Sequence, residues 1–176
     1  MKACPRCGEE NFDQARFCQG CAAPFEDDGV RRQVRKTVTV LFTDVTGSTA
    51  LGERLDPEAL RAVLTRYYDE MRRVVESHGG AVQKFIGDAV VAVFGVPEVH
   101  EDDALRAVRA ALDMRVRLAG LNDELEETRG VRIRTRTGVN TGEVVASEPD
   151  PYQTLVTGDT ANVAARLEQV GLSLNI

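Results

Sequence analysis

Thr-Val-Thr-Val-Leu-Phe-Thr-Asp-Val-Thr-Gly-Ser-Thr, residues 37 to 49, decides how the rest of the chain is read. Val38, Val40 and Phe42 alternate with Thr39, Leu41 and Thr43. A run so rich in β-branched and aromatic residues predicts a strand buried on both faces or nearly so. It ends on one carboxylate, Asp44, and passes into a small-residue turn, Val45-Thr46-Gly47-Ser48-Thr49, ahead of a helical pattern. An acid carried by a buried strand into such a turn can hold a hard metal ion, while the free N–H groups of the turn and helix start hold phosphate. The same Asp can also do no more than cap the next helix.

Residues 81 to 95, Ala-Val-Gln-Lys-Phe-Ile-Gly-Asp-Ala-Val-Val-Ala-Val-Phe-Gly, decide between those two. Two apolar strands, Ala81 to Ile86 and Ala89 to Phe94, flank Gly87-Asp88, a two-residue hairpin turn in which Gly supplies positive φ. Alone, Asp88 is ordinary turn chemistry. Together with Asp44 it makes two acids at the ends of apolar strands, which is a metal-site pattern. Phe42-x-Asp44-Val45-x-Gly47-Ser48-Thr49 followed by Lys84-x-x-Gly87-Asp88 resembles the catalytic core of the class III nucleotidyl cyclases, over about Val38 to Gln169.

Either side of these motifs the chain reads as an ordinary small protein. Its 176 residues carry a formal charge of −6 and are 43% apolar, enough for one packed domain plus an appendage. No apolar run reaches the length of a bilayer span and no secretory signal opens the sequence, so a cytoplasmic location with no membrane partner is expected. The acidic balance argues against nucleic acid as a partner of the whole chain.

All four cysteines fall in the first 21 residues, as Cys4-Pro5-Arg6-Cys7 and Cys18-Gln19-Gly20-Cys21. Two Cys-x-x-Cys knuckles can complete one tetrahedral site, and a segment of this size folds on its metal. Disulfides are disfavoured in a reducing compartment, and no βαβ pattern marks a redox fold. Residues 1–25 resemble a zinc ribbon with one structural Zn²⁺, and Phe12, Phe17 and Phe25 are its expected apolar cap. A protein partner through the ribbon is one reading, though such modules name no partner by themselves. Residues 26–36, acidic then basic, read as a charged tether.

Asp56-Pro57-Glu58 starts a helix with its apolar face on Leu60, Val63, Leu64, Tyr67, Met71, Val74 and Val75. His78 extends that face and is read as packing or capping. A second helix follows His100-Glu101-Asp102-Asp103 and carries Leu105, Val108, Leu112, Val116 and Leu118. Val131 to Val139 is a strand, Asn140-Thr141-Gly142 a turn, and Glu143 to Ala146 another strand. The order β, α, β, β, α, β predicts an α+β, ferredoxin-like core, with Asp44 beside the Asp88 hairpin. Asn162 and Arg166, after Gly158-Asp159, share a helix face.

The resemblance adds roles. It implies that Asp44, Asp88 and the Val45 carbonyl hold two Mg²⁺ or Mn²⁺ ions and that Thr46, Gly47, Ser48 and Thr49 hold the triphosphate. Lys84 would read the purine, Asn162 orient the ribose, and Arg166 stabilise the transition state. The implied reaction is attack of the ribose 3′-hydroxyl on the α-phosphate of ATP, giving 3′,5′-cyclic AMP and pyrophosphate by two-metal catalysis. GTP is the alternative substrate, because the second base-reading position is Leu155, preceded by Thr154, and Leu cannot hydrogen-bond a base. The family pairs its domains head to tail, which implies a homodimer. Residues 37–176 would then be a catalytic domain lacking its C-terminal strands. The other reading is a non-catalytic nucleotide-binding or dimerisation module.

Overall fold

The computed structural model describes residues 1–25, 32–96, 98–148 and 159–171, and only the backbone for 32–34 and 146–148. The chain forms two compact units, Met1–Arg32 and Gln33–Ile176.

In the first unit, β1 (Lys2–Ala3) pairs antiparallel with β2 (Glu10–Asn11). Cys4 and Cys18 are buried, as is Asn11. Phe12 and Phe17 are 74% and 64% exposed, so the expected cap of three phenylalanines does not form. Phe25 instead lies under the Lys2 ammonium, 4.3 Å from its ring centre. A unit this small has little interior for aromatic rings.

The second unit opens with β3 (Arg32–Val45), which starts inside the stretch read as a tether. A short helix, α1 (Ser48–Arg54), follows, then α2 (Pro57–Ser77), β4 (Ala81–Ile86), β5 (Ala89–Phe94), α3 (Asp103–Arg129), β6 (Thr135–Glu148) and α4 (Asp159–Val170). Asp56 caps α2 by accepting from Ala59 N at 2.8 Å, and Pro57 occupies the first turn. Such a cap stabilises a helix by about 1 kcal/mol. Ala59, Val63, Tyr67, Met71, Val74 and Val75 form the buried face of α2. His78 ends it as the C-cap and reaches across to Asp113 Oδ2 at 2.8 Å.

The sheet order is β4-β5-β3-β6. β3 and β4 both run antiparallel to β5. β6 runs antiparallel to β3, since the hydroxyls of Thr39 and Thr43 meet those of Thr141 and Thr137, at 2.8 and 2.5 Å, in reverse order. This is the strand order of the βαββαβ core. On one face, Leu41, Val45, Val90, Ala92 and Phe94 pack against α2 and α3. On the other, Val38, Val40, Val91, Val93 and Val144 pack with Ala164 of α4. β5 is buried along its whole length, and a fully buried valine stabilises by about 1.5–3 kcal/mol relative to exposure.

Three departures from the sequence expectation have physical causes. Residues 131–134 are not strand, although Val131 and Ile133 are buried. Asn122 of α3 takes up their backbone instead, accepting from Ile133 N at 2.7 Å and donating to Ile133 O at 2.8 Å. Asn140-Thr141-Gly142 is no turn but the middle of β6. Its glycine serves close approach, since a Cβ on Gly142 would lie 2.6 Å from Thr160 Oγ1. In α3, Leu105, Val108, Leu112 and Val116 lie on the exposed side, and Ala107, Ala110, Met114, Leu118, Leu121 and Leu125 form the buried one. That face packs into the core with α2 and the sheet, with alanines in its first turns and larger residues beyond. Among the described residues, no helix is long and apolar enough to cross a membrane.

Candidate functional site

Four cysteines converge in the first unit. The Sγ atoms of Cys4, Cys7, Cys18 and Cys21 all lie within 4.8 Å of one another, and all four thiols are free. Cys4 and Cys21 are 3.7 Å apart, Cys7 and Cys18 3.5 Å. A tetrahedral ion with metal–sulfur bonds of about 2.3 Å requires sulfur separations near 3.8 Å, so the donor set fits one zinc-like ion. The knuckle N–H groups aim at sulfur, Arg6 N to Cys4 at 3.4 Å and Gly20 N to Cys18 at 3.3 Å. The buried Asn11 side chain adds a further N–H to Cys18 Sγ at 3.6 Å. Burial acts to raise the Cys18 thiol, but the N–H groups of Cys21 and Gly20 and the neighbouring Cys7 and Cys4 thiols prevail and bring it down to about 6. The Glu9 N–H acts to lower the Cys7 thiol, but the neighbouring Cys21 and Cys18 groups push it up to about 12, so the metal-free cluster carries its negative charge on Cys18.

In the second unit, the carboxylates gather at one end of the sheet. Side chains alternate along β3, so Asp44 lies on the same face as Val40 and Phe42. Thr43 pairs with Val90, and the next step sets Asp44 across from Ala89, beside Asp88. Asp44 and Asp88 are both half-buried. Burial, then the charges of Asp88 and Glu168, hold the Asp44 carboxyl above the usual carboxylate range, against the opposing pull of the Val45 N–H and Arg136. Acids crowded in this way are ready to share a cation.

The turn that carries Asp88 is braced from outside. Gly87 has φ +62°, and its carbonyl accepts from the Tyr68 hydroxyl at 2.7 Å. The Tyr68 ring packs 4.5 Å from Phe85. Lys84 opposes Val91, which opposes Phe42, so Lys84 shares the face of Asp44 and is exposed.

Gly47, at φ +73°, is the N-cap of α1. Thr46 is committed to the sheet, with its N–H donating to Arg134 O at 2.8 Å and its hydroxyl to the same oxygen at 3.3 Å. The N–H groups of Gly47, Ser48 and Thr49 stand at the free start of α1.

On α4, Thr160, Ala164 and Glu168 are buried. Asn162 and Arg166 are exposed and project from the side turned away from the sheet. The helix is bolted to β6 by Arg136 Nε to Glu168 Oε1 at 2.8 Å, Asn140 Nδ2 to Thr160 O at 3.1 Å, and Thr160 Oγ1 to Glu143 O at 2.9 Å. Thr154 and Leu155 lie outside the described residues.

Three residues that shape this site escaped the sequence reading: Tyr68, Arg136 and Glu168. Tyr68 stood next to a better core candidate, Tyr67, and nothing local links it to Gly87. Arg136 and Glu168 are 32 positions apart and meet only when α4 docks on β6.

The sheet order is that of the nucleotidyl cyclase catalytic domains. The chain belongs to that family: the family model for the adenylate and guanylate cyclase catalytic domain matches residues 30–176. It is 36% identical over 143 residues to adenylate cyclase 1 of Rhizobium meliloti (strain 1021), a match covering 80% of this chain and 22% of that protein. The chain therefore corresponds to about a fifth of that curated relative's length. Among solved structures, it superposes on the adenylyl cyclase CyaB from P. aeruginosa with a TM-score of 0.74 at 31% identity, covering 80% of this chain and 75% of that one. It superposes on the guanylyl cyclase Cya2 with a TM-score of 0.73 at 34% identity, covering 80% and 73%.

Proposed function

We propose that this domain converts ATP to 3′,5′-cyclic AMP and pyrophosphate at sites shared by two copies of the chain. One observation supports this most. Asp44 and Asp88 gather at one end of the sheet, while Asn162 and Arg166 point outward from α4. A chain with both halves of a site, aimed in different directions, is completed by a second copy in a symmetric pair.

In this reading Asp44 and Asp88 bind the substrate's divalent cations, Mg²⁺ or Mn²⁺, with the Val45 carbonyl as a third donor. Those ions, when bound, supply the charge that activates the 3′-hydroxyl and steadies the leaving pyrophosphate. Gly47, Ser48 and Thr49 hold the triphosphate through backbone N–H groups, with Thr46 anchoring the turn. The partner's copies of Asn162 and Arg166 orient the ribose and neutralise charge that grows at the α-phosphate, so loss of Arg166 lowers turnover more than binding. The partner's Lys84 reads the base. Both adenylyl and guanylyl cyclases stand close to this chain, so GTP is assayed beside ATP. Cys4, Cys7, Cys18 and Cys21 hold one structural Zn²⁺.

The test is purified chain with ATP or GTP and Mn²⁺, assayed for cyclic product over a range of protein concentration, beside Asp44→Ala. Product from ATP that rises faster than linearly with protein and vanishes in the variant is expected. Product from GTP alone would reassign the base, and no product with nucleotide still bound would make the domain a binding module.

A further inference from the structure

We propose that Glu168 is a positioning residue for the metal site: it holds the Arg136 guanidinium on α4, and so keeps that cation from closing on Asp44. This rests on the reading of Asp44 as a metal ligand. The cross-strand register carries the argument. Thr39 meets Thr141, Thr43 meets Thr137, and Thr46 N donates to Arg134 O at 2.8 Å. One step beyond the Thr43–Thr137 pair, Asp44 stands directly opposite Arg136, on the face covered by α4. Directly opposed residues on antiparallel strands have Cβ atoms about 4.5–5.5 Å apart, and opposite charges placed there attract. A guanidinium is built to engage a carboxylate in a planar, two-pronged pair. Arg136 is therefore the residue most able to neutralise Asp44 from within the chain.

It is engaged elsewhere. Arg136 Nε donates to Glu168 Oε1 at 2.8 Å, and a second guanidinium nitrogen donates to Gln169 O at 3.4 Å. The ion pair that Arg136 forms is with Glu168 and not with Asp44. Burial decides this competition. The Glu168 side chain is 3% exposed, whereas Asp44 is half-buried at the mouth of the site. An unpaired charge in the interior is far more costly than one that water or a metal can reach, so Glu168 outbids Asp44 for the arginine. The electrostatics of Asp44 agree, with Glu168 and Arg136 both within range of it and acting in opposite senses. Neutralising Glu168 leaves the guanidinium without its counter-charge, next to Asp44, the acid it faces across the strands.

The test is Mn²⁺ binding to the full chain, read as loss of free Mn²⁺ signal by electron paramagnetic resonance, for wild type, Asp44→Asn, Glu168→Gln and the double variant Arg136→Met/Glu168→Gln. Outer residues that orient metal ligands typically change affinity about 10–100-fold. Glu168→Gln is expected to weaken Mn²⁺ binding at least tenfold on that scale. The double variant, which removes the competing cation, is expected to bind as wild type does, because no guanidinium is then left to close on Asp44. A pair that merely held α4 in place would leave the double variant as weak as the single one, and that result overturns the proposal. So does wild-type affinity in Glu168→Gln. If Glu168→Gln does not fold, Glu168→Asp replaces it, since the shorter acid loosens its hold on the arginine; unchanged Mn²⁺ affinity there is equally fatal. Asp44→Asn separates the two ideas. If it binds Mn²⁺ like wild type, the metal-ligand reading fails, and this proposal with it. If it does not, that reading stands whatever Glu168 does.

Discussion

Asp44 carries opposite demands in the folded chain. Burial first, and then its acidic neighbours, hold its carboxyl above the usual range, so the folded state takes up the proton more readily than the unfolded chain. The sign follows from linkage: this preference stabilises the fold fully below the ordinary Asp range and is lost as pH rises through the raised value. At neutral pH without metal, the ionised acid is therefore a strain on the fold. Asp44→Asn is expected to raise the melting temperature of the metal-free protein near neutral pH while abolishing cyclase turnover. Its advantage over wild type shrinks as pH falls through the raised value and is gone below the ordinary Asp pKa of about 3.9. Circular-dichroism melts at both pH values check this, and a lower melting temperature for the variant near neutral pH would contradict it. Added Mn²⁺ should raise the melting temperature of wild type and leave that of Asp44→Asn unmoved.

Among the elements, α4 depends most on a single backbone position. A Cβ on Gly138 would overlap the Ala164 carbonyl oxygen and the Glu168 nitrogen, which are backbone atoms that cannot swing aside. Gly138→Ala is expected to destabilise the domain by about 1–3 kcal/mol, the range for overpacking a tight contact. It should also reduce turnover beyond that loss, because α4 carries Asn162 and Arg166. Urea unfolding beside single-turnover rates measures both. Wild-type stability would mean that α4 rides further from β6 than the structure has it. The sequence hid this contact. Gly138 read as an ordinary strand residue and Gly142 as part of a turn, whereas both lie along β6 where α4 crosses it.

Over the whole molecule, two expectations follow from how chemistry is divided within the chain. If each site takes Asp44 from one copy and Arg166 from another, mixing inactive Asp44→Ala with inactive Arg166→Ala restores activity. Random pairing gives half mixed dimers, each with one intact site of two, hence about a quarter of wild-type activity. A mixture as inactive as its parts would argue for sites within single chains. The second expectation concerns the ribbon. Metal removal by a chelator should unfold residues 1–25, whose interior is largely its sulfurs, and leave the melting of the second unit unchanged. The core clusters of that unit contain no residue before Val38. Hydrogen exchange on metal-stripped chain would detect a loss of protection confined to the first unit.

Much was legible from sequence because it is local. Alternating valines around Asp44 fixed a buried strand, Gly87-Asp88 a hairpin, Asp56-Pro57 a helix start and two Cys-x-x-Cys pairs a sulfur cluster; each depends on residues a few positions apart. The βαββαβ order followed from those elements, and with it the meeting of Asp44 and Asp88. What only the tertiary structure decided depends on faces and distances that local pattern does not carry. It turned Ala107, Ala110, Met114, Leu118, Leu121 and Leu125 of α3 to the core rather than the Leu105–Val116 stripe, because that is the side on which α2 and the sheet meet the helix. It ran β6 straight through Asn140-Thr141-Gly142, because α4 needed glycine beneath it. It set Arg136 across from Asp44 and brought Glu168 to hold it, a meeting of three charges from two strands and a helix that no single stretch of sequence records.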